Sequence, residues 1–422
     1  MNGLLKKIAA ITLAATLVTG GALCTAVTAS AAGTDSASSA QADESDFKWT
    51  TDSNGEVYIY RYNYSLLRKS PDVVIPDTID GKKVTRMSPT VFTRGCRSVT
   101  LPLYLREICD PTDINKITEE ARPKDIEYYV LSSVIVPDGN AYFKSKDGVL
   151  YSKDMKKLLK LPAATEGTFS IPSTVTDIDP NAFSNCTQVT GLVIPSSVKE
   201  ISGTLLKNFK SLETLTINNA NYTLEDDVLY DKAKTKIIYV LHSKNVRFEI
   251  PSTVKTIGDF AFAGSNVPSV VLPEGLTEIG NYAFAECKIT SVSIPSSVAE
   301  IGGFAFSNSS ISTAKIYASV DSLSEGCFWG CESLSSVSFP DGLTEIENTC
   351  FMGCSRLYNP VLPSSLQKLG YLVFSNCSSI TNMVIPESVK TIEDGTFNNC
   401  TKLRSVYFPG NPEFVYTDDS YI

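Results

Sequence analysis

Residues 339–407 read FPDGLTEIENTCFMGCSRLYNPV, LPSSLQKLGYLVFSNCSSITNMV and IPESVKTIEDGTFNNCTKLRSVY, three gapless copies of one 23-residue unit. Each copy opens on an apolar residue, followed by Pro in all three. Apolar residues recur at Leu343, Leu366 and Val389, and again at Ile346, Leu369 and Ile392. A Phe follows (Phe351, Phe374, Phe397), then a Cys three residues on (Cys354, Cys377, Cys400), then Leu357, Ile380 or Leu403. A unit this short cannot bury its own apolar face. Stacked copies can, so the pattern demands a solenoid in which each turn of chain is one rung.

The opening landmarks fall at Ile75, Leu101, Val136, Ile171, Ile194, Ile217, Ile250, Leu272, Ile294, Ile316, Phe339, Leu362, Ile385 and Phe408. Thirteen intervals at the spacing of adjacent strands predict an array about 60 Å long. Within a rung, Val292-Ser293-Ile294 alternates in, out, in, which predicts one short strand per rung and a parallel sheet across rungs. Past the Pro, Val298 and Ile301 point back to the core. Asp179-Pro180 should then open a helical turn that delivers Phe183 to the interior.

The outward strand positions are small, hydroxyl-bearing or mildly apolar. Ser291, Ser293, Thr313, Lys315, Ser336, Ser338, Asn359, Asn382, Ser405 and Tyr407 form the candidate binding face. Such a face suits a protein or glycan ligand better than it suits catalysis. The bland alternative is that these are simply residues compatible with a solvated sheet.

Three long intervals mark insertions. Residues 106–130 are charged, with Thr112-Asp113 able to cap a short helix that Pro123 ends. Residues 140–171 and 219–250 resemble each other: AYFKSKDGVLYSKD matches NYTLEDDVLYDKAK, and each predicts a β-hairpin turning at Asp147-Gly148 or Asp226-Asp227. Upstream, EVYIYRYNY alternates so that Tyr58, Tyr60, Tyr62 and Tyr64 share one face of a strand. They form either an exposed aromatic strip or, as the simpler reading, a β-rich cap that packs on the first rung.

Residues 1–31 have the form of a secretory leader: Lys6-Lys7, an apolar stretch from Ile8 to Val18 and the small-residue site Ala29-Ser30-Ala31. That apolar stretch is short for a membrane span, and nothing further along is long enough. Residues 32–46 then read as a flexible linker, 47–90 as the cap and first rung, 91–409 as the repeats and 410–422 as a tail. The formal charge is -9. Without Lys6 and Lys7 the basic count falls from 37 to 35 against 46 acids, or -11. No basic footprint for nucleic acid exists.

Eleven Cys in an exported chain would ordinarily suggest disulfides. Here Cys96, Cys186, Cys287, Cys331, Cys354, Cys377 and Cys400 share one repeat position, which Ser265, Ser309 and Phe209 occupy elsewhere. Cys327 and Cys350 share a second. A position that accepts Cys, Ser and Phe is a packing position, so mostly free thiols are expected, with rung spacing leaving room for an occasional cross-rung disulfide.

The units resemble the BspA-like, or Treponema-type, subclass of bacterial leucine-rich repeats. The resemblance rests on IPSSVAEIGGFAFSNSSISTAKI and IPESVKTIEDGTFNNCTKLRSVYF, on KDGVLYSKD, and on VYIYRYNY with IPDTIDGKKVTRM. It spans about Phe47 to Pro409. It implies a leucine-rich-repeat solenoid with a parallel β-sheet on its concave face. Short strands, turns and helical turns lie on the other side, and a β-rich cap at the N-terminus. It also implies an exported or surface protein that adheres to protein or glycan partners, with no shared catalytic residues. The chain departs from the pattern at Leu205-Leu206, where Ala-Phe is usual, at Pro360 in a strand position, and in the helical insertion.

Chemistry finds little foothold. His242 is the only histidine, and it reads as a turn or surface residue rather than a general base. The two CxxxC pairs, Cys327/Cys331 and Cys350/Cys354, each enclose a Phe and so read as core rather than as metal ligands. No phosphate-binding glycine loop is present, and no cofactor is expected. A hydrolase built on the insertions is the remaining enzymatic alternative, and a passive surface scaffold the structural one.

Overall fold

A computed structural model describes residues 43–415 apart from 53, 64, 65, 68, 69, 94 and 110–128. The leader, most of the linker and the helix expected within 106–130 lie outside the described residues. Regular structure is already present a little before Phe47. Asp43 caps a 3-10 turn over Glu44–Asp46, and Asp46 is buried.

Phe47–Thr51 pairs antiparallel with Val57–Tyr62, which runs parallel to Lys82–Met87, which in turn runs parallel to Glu107–Ile108. The antiparallel strand thus seals the first rung. A register shift matters here. Lys48 faces Arg61 but Trp49 faces Ile59, so Tyr60 has no partner residue and the alternation slips. Tyr58 and Tyr62 are both buried, as are Val57 and Ile59, and Tyr60 is half-buried. The exposed aromatic strip is therefore corrected. These tyrosines pack into the cap, with the Tyr58 hydroxyl donating to the Cys109 carbonyl at 3.1 Å. Tyr64 lies outside the described residues.

Each regular rung is a coil with three sides. One is the expected strand before the Pro, exemplified by Ser291–Ile294, Thr313–Ile316 and Ser336–Ser338, stacked parallel and in register. The second was not expected as a sheet. Pairs such as Glu278–Ile279 and Glu300–Ile301 form two-residue strands that also stack parallel, with the Ile inward and the Glu outward. The third carries the Phe, and it is a turn rather than a helix. Its backbone nonetheless bonds between rungs: the Phe284 N–H donates to the Ala305 carbonyl at 2.6 Å and the Phe306 N–H to that of Cys327 at 2.8 Å. Every side of the coil thus satisfies its main chain through its neighbour, which is why no rung is stable alone. Among the described residues helix is confined to short pieces such as Gly203–Leu206, where Leu205-Leu206 replace Ala-Phe.

Two side-chain columns fill the interior of the turn. Phe262, Phe284, Phe306, Phe328, Phe351 and Phe374 are fully buried and stack nearly parallel, with centroids 4.6 to 5.7 Å apart. Beside them run the cysteines, all free. Their packing has a polar reason. Thiols of Cys331, Cys354, Cys377 and Cys400 donate to the carbonyls of Phe306, Phe328, Phe351 and Phe374 on the preceding rung, at 3.0 to 3.2 Å. Burial pushes the Cys331 thiol up to about 11 and that of Cys287 to about 12, so both stay protonated.

The two related insertions are three-stranded antiparallel units: Phe143–Lys146, Val149–Ser152, Lys157–Lys160, and Tyr222–Glu225, Val228–Asp231, Lys236–Val240. The expected turns are present, with positive φ at Asp147 and Gly148 and at Asp226 and Asp227. The last strand of each runs parallel to the next rung's short strand, so the insertions extend the second sheet. Each opens on a buried asparagine. Asn140 donates to the Leu105 carbonyl at 2.9 Å and accepts from the Phe143 N–H at 2.8 Å; Asn219 donates to the Val198 carbonyl at 2.5 Å.

Candidate interaction face

The strand before the Pro places its middle residue inward, because Val292, Ala314 and Val337 fill the core, and so turns its neighbours outward. Ser291, Thr313 and Ser336 align in one row across rungs, and Ser293, Lys315 and Ser338 in the next. Further along, Asn382 aligns with Ser405 and Val384 with Tyr407. Ser291, Ser293, Lys315, Ser336, Ser338, Asn382, Ser405 and Tyr407 are exposed, and Thr313 and Asn359 half-buried. Nine of the ten thus stand at outward strand positions, and Asn359 falls where no strand forms.

Charge separates this face from its opposite. Among these ten residues the only ionisable cation or carboxylate is Lys315, in a chain of net charge -9. The second sheet instead presents Glu278, Glu300, Glu345 and Lys368, and Lys368 bridges Glu345 and Glu393 at 2.9 Å each.

The face is not continuous. No strand forms at 359–361, so the sheet ending at Ser336–Ser338 and the pair Asn382–Val384 with Ser405–Tyr407 are separate. Pro360 has no N–H for the ladder. Asn359, at φ 39, fills in with its side chain: Oδ1 accepts from the Thr381 N–H at 2.8 Å and the Asn382 N–H at 3.1 Å. Asn382 in turn accepts from the Ser405 hydroxyl at 2.9 Å. Two of the ten residues are thus committed partly to holding the rungs together. The gap leaves a shallow groove of about 370 Å³ lined by Ser336, Ser338, Tyr358, Asn359, Pro360 and Val361. Of these the large apolar side chains of Tyr358 and Val361 are exposed, Val361 at 84%, and the exposed Val384 and Tyr407 follow on the next rungs. The signal for this groove in the sequence was the misplaced Pro360 and the Val361–Val384 repeat beside it.

A second aromatic feature escaped the sequence reading. Phe260, Tyr282 and Phe304 stack on the turn side, centroids 4.9 and 5.1 Å apart and planes within 5°, with the Lys207 ammonium 4.3 Å over the Phe260 ring. Their flat faces are covered by one another, so they present edges rather than a platform for a sugar ring. All three adopt positive φ, as do Thr349 and Leu372 at the same position two before the ring of later rungs; Gly326 and Gly395 occupy it elsewhere.

His242 lies in a turn, as expected, and is half-buried. Its Nδ1 lies 3.3 Å from the Tyr239 hydroxyl, its carbonyl accepts from Asn266 at 2.8 Å, and burial, with the nearby Lys210 charge, lowers its pKa to about 4. It is neutral at pH 7 and has no carboxylate to orient it in the manner of a catalytic base. Among the described residues no group of three His, Cys, Asp or Glu is arranged to hold a metal ion, and no helix is long and apolar enough to cross a membrane.

Comparison with known proteins agrees with this architecture. The family model described as the BspA type leucine-rich repeat region matches residues 167–247, 238–358 and 321–418. No curated protein matches the chain in sequence. Among solved structures, a leucine-rich repeat protein from Eubacterium ventriosum shares 24% identity at a TM-score of 0.56, over 85% of this chain and 93% of that one. One from Bacteroides ovatus shares 20% at 0.42, over 88% and 89%, and a leucine-rich cell surface protein from Faecalibacterium prausnitzii 20% at 0.41, over 87% and 94%. With the family model covering more than half its length, and with stacked parallel coils of the matching kind, the chain belongs to the BspA-type leucine-rich repeat family.

Proposed function

We propose that this chain is an exported binding protein without catalytic activity, which takes an extracellular protein or glycan partner on the outward face of the sheet that precedes each Pro. The observation that carries the reading is the near absence of charge on that face from Ser291 to Tyr407, together with the groove at Pro360 and the exposed Tyr358 and Val361 that line it. A surface of hydroxyls, amides and exposed Tyr and Val binds by shape, hydrogen bonds and apolar burial rather than by charge steering. Export follows from the leader at 1–31, and the family and its cell-surface structural relative are in keeping with an extracytoplasmic location. Among the described residues, the insertions at 140–171 and 219–250 hold no constellation of nucleophile, base and orienting acid, which disfavours hydrolysis there.

The test is retention of partners from bacterial and host surface extracts, and on a glycan array, by the chain and by three variants. Ser338→Lys and Val361→Asp alter the proposed face, and Glu300→Lys alters the second sheet. Retention lost with the first two, kept with the third and little changed between low and high salt is the expected result. Retention that survives both face substitutions, or no retention by the unaltered chain, would leave the scaffold reading in its place.

A further inference from the structure

The two ends of the described array are unlike. At the first rung, Phe47–Thr51 lies antiparallel across the sheet edge. At the last, among the described residues, nothing covers the core. Each column records the change. Phe374 is fully buried and Phe397, one rung on, is half-exposed; Ile380 and Met383 are buried, whereas their successors Leu403 and Val406 are half-exposed. In the second sheet Ile392 is buried and its partner Phe414 is 50% exposed. Ser405–Tyr407 and Glu413–Val415 are both terminal strands of their sheets, so each offers one edge of main-chain donors and acceptors. An exposed strand edge over exposed core side chains is a template for another β edge.

We propose that this end is a self-association surface, and that a second copy of this chain covers it by the same face to give a closed dimer. Three observations select that occupant. The other end of the array is sealed, so a self-contact through an open rung must be end to like end, which is isologous and closes at two copies. A two-fold axis across the end turns parallel strands of the two copies antiparallel to each other, which gives a regular ladder. Pairing centred on Val406 sets Ser405 against Tyr407 and Arg404 against Phe408, with no like charges opposed. Local charge does not resist it either. Residues 386–415 carry Lys390, Lys402 and Arg404 against Glu387, Glu393, Asp394 and Glu413, or 3 minus 4, a net of -1 in a chain of -9.

Sedimentation velocity of the chain from about 1 to about 100 µM reads the result directly, a range that brackets a micromolar dissociation constant. A monomer–dimer equilibrium with no larger species is expected. Phe414→Lys, and separately Tyr407→Arg, should each weaken it at least tenfold while leaving the circular dichroism spectrum and melting profile of the monomer in place. A chain that stays monomeric throughout, open-ended oligomers, or a dimer indifferent to both substitutions would overturn the proposal. So would a chain that dimerises only after deletion of residues 416–422, because that segment would then be the native cover. Partner retention on the Ser338 and Val361 face is measured separately, so either reading can fail without the other.

Discussion

The turn side of a rung and the sheet face before its Pro are built from the same 23 residues, yet they obey opposite rules. On the turn side, position dictates residue: a ring to stack, a thiol or hydroxyl beside it, a backbone that accepts positive φ. On the sheet face only the inward residue is constrained, and Ser, Thr, Lys, Asn, Val and Tyr follow one another outward. The faithful part of the repeat is thus the part that holds the array together. A partner can be selected on the other without disturbing it. The comparison also explains why Pro360 is tolerated: it breaks the sheet face, where Asn359 can substitute, and leaves Phe351 and Phe374 stacked.

The comparison breaks most readily on the turn side. Phe328→Ala removes a fully buried ring from the middle of the stack and should cost about 3–5 kcal/mol, read as a shift in the denaturant midpoint. If it costs no more than a substitution on the sheet face, the distinction is lost. Next is Gly302. A Cβ there would lie 2.5 Å from the Asn281 nitrogen and 2.6 Å from the Gly280 carbonyl carbon, so Gly302→Val must push two rungs apart, at a cost of about 1–3 kcal/mol.

Acid supplies a gentler test. The pKa of His242 is lowered in the fold, so the neutral ring is the form the fold prefers. Its contribution is present above the ordinary histidine value of 6.5 and is lost as pH falls from there through about 4. A melting temperature that drops over this window, less steeply in His242→Gln, is the expected outcome. A drop of the same slope in both would assign it to carboxylates elsewhere. The smallest effect is a gain. Ser265 sits in the cysteine column, fully buried, with no hydrogen-bond partner for its hydroxyl. Ser265→Cys should stabilise by up to about 1 kcal/mol, because a buried thiol costs less to desolvate than an unpaired hydroxyl.

Much of this was legible in one dimension. The spacing of Phe, Cys and the apolar residues determined the rung, its inward residues and the free state of the thiols. The alternation in the strand before the Pro determined the outward positions of strands such as Ser291–Ile294 and Thr313–Ile316, though not that of Asn359, where no strand forms. KDGVLY and DDVLY determined the turns of two insertions. These are local rules, set by backbone periodicity and repeated often enough to be read without ambiguity.

What only the tertiary structure decided concerns what one rung does to the next. The Tyr58–Tyr62 alternation failed because a bulge opposite Trp49 slipped the register, and a bulge is chosen by the partner strand. The turn after Asp179 keeps its cap, the Asn181 N–H donating to the Asp179 carboxylate and the Ala182 N–H to the Asp179 carbonyl, but it closes on bonds three residues back and goes no further as a helix. The two-residue strands were invisible because so short a strand has no period of its own and exists only by pairing. His242 keeps its expected turn but is half-buried there, because Tyr239 and the rung bearing Gly264 close over it. A sequence states which residues a rung turns inward or outward; how far they are then buried depends on what stacks above and below.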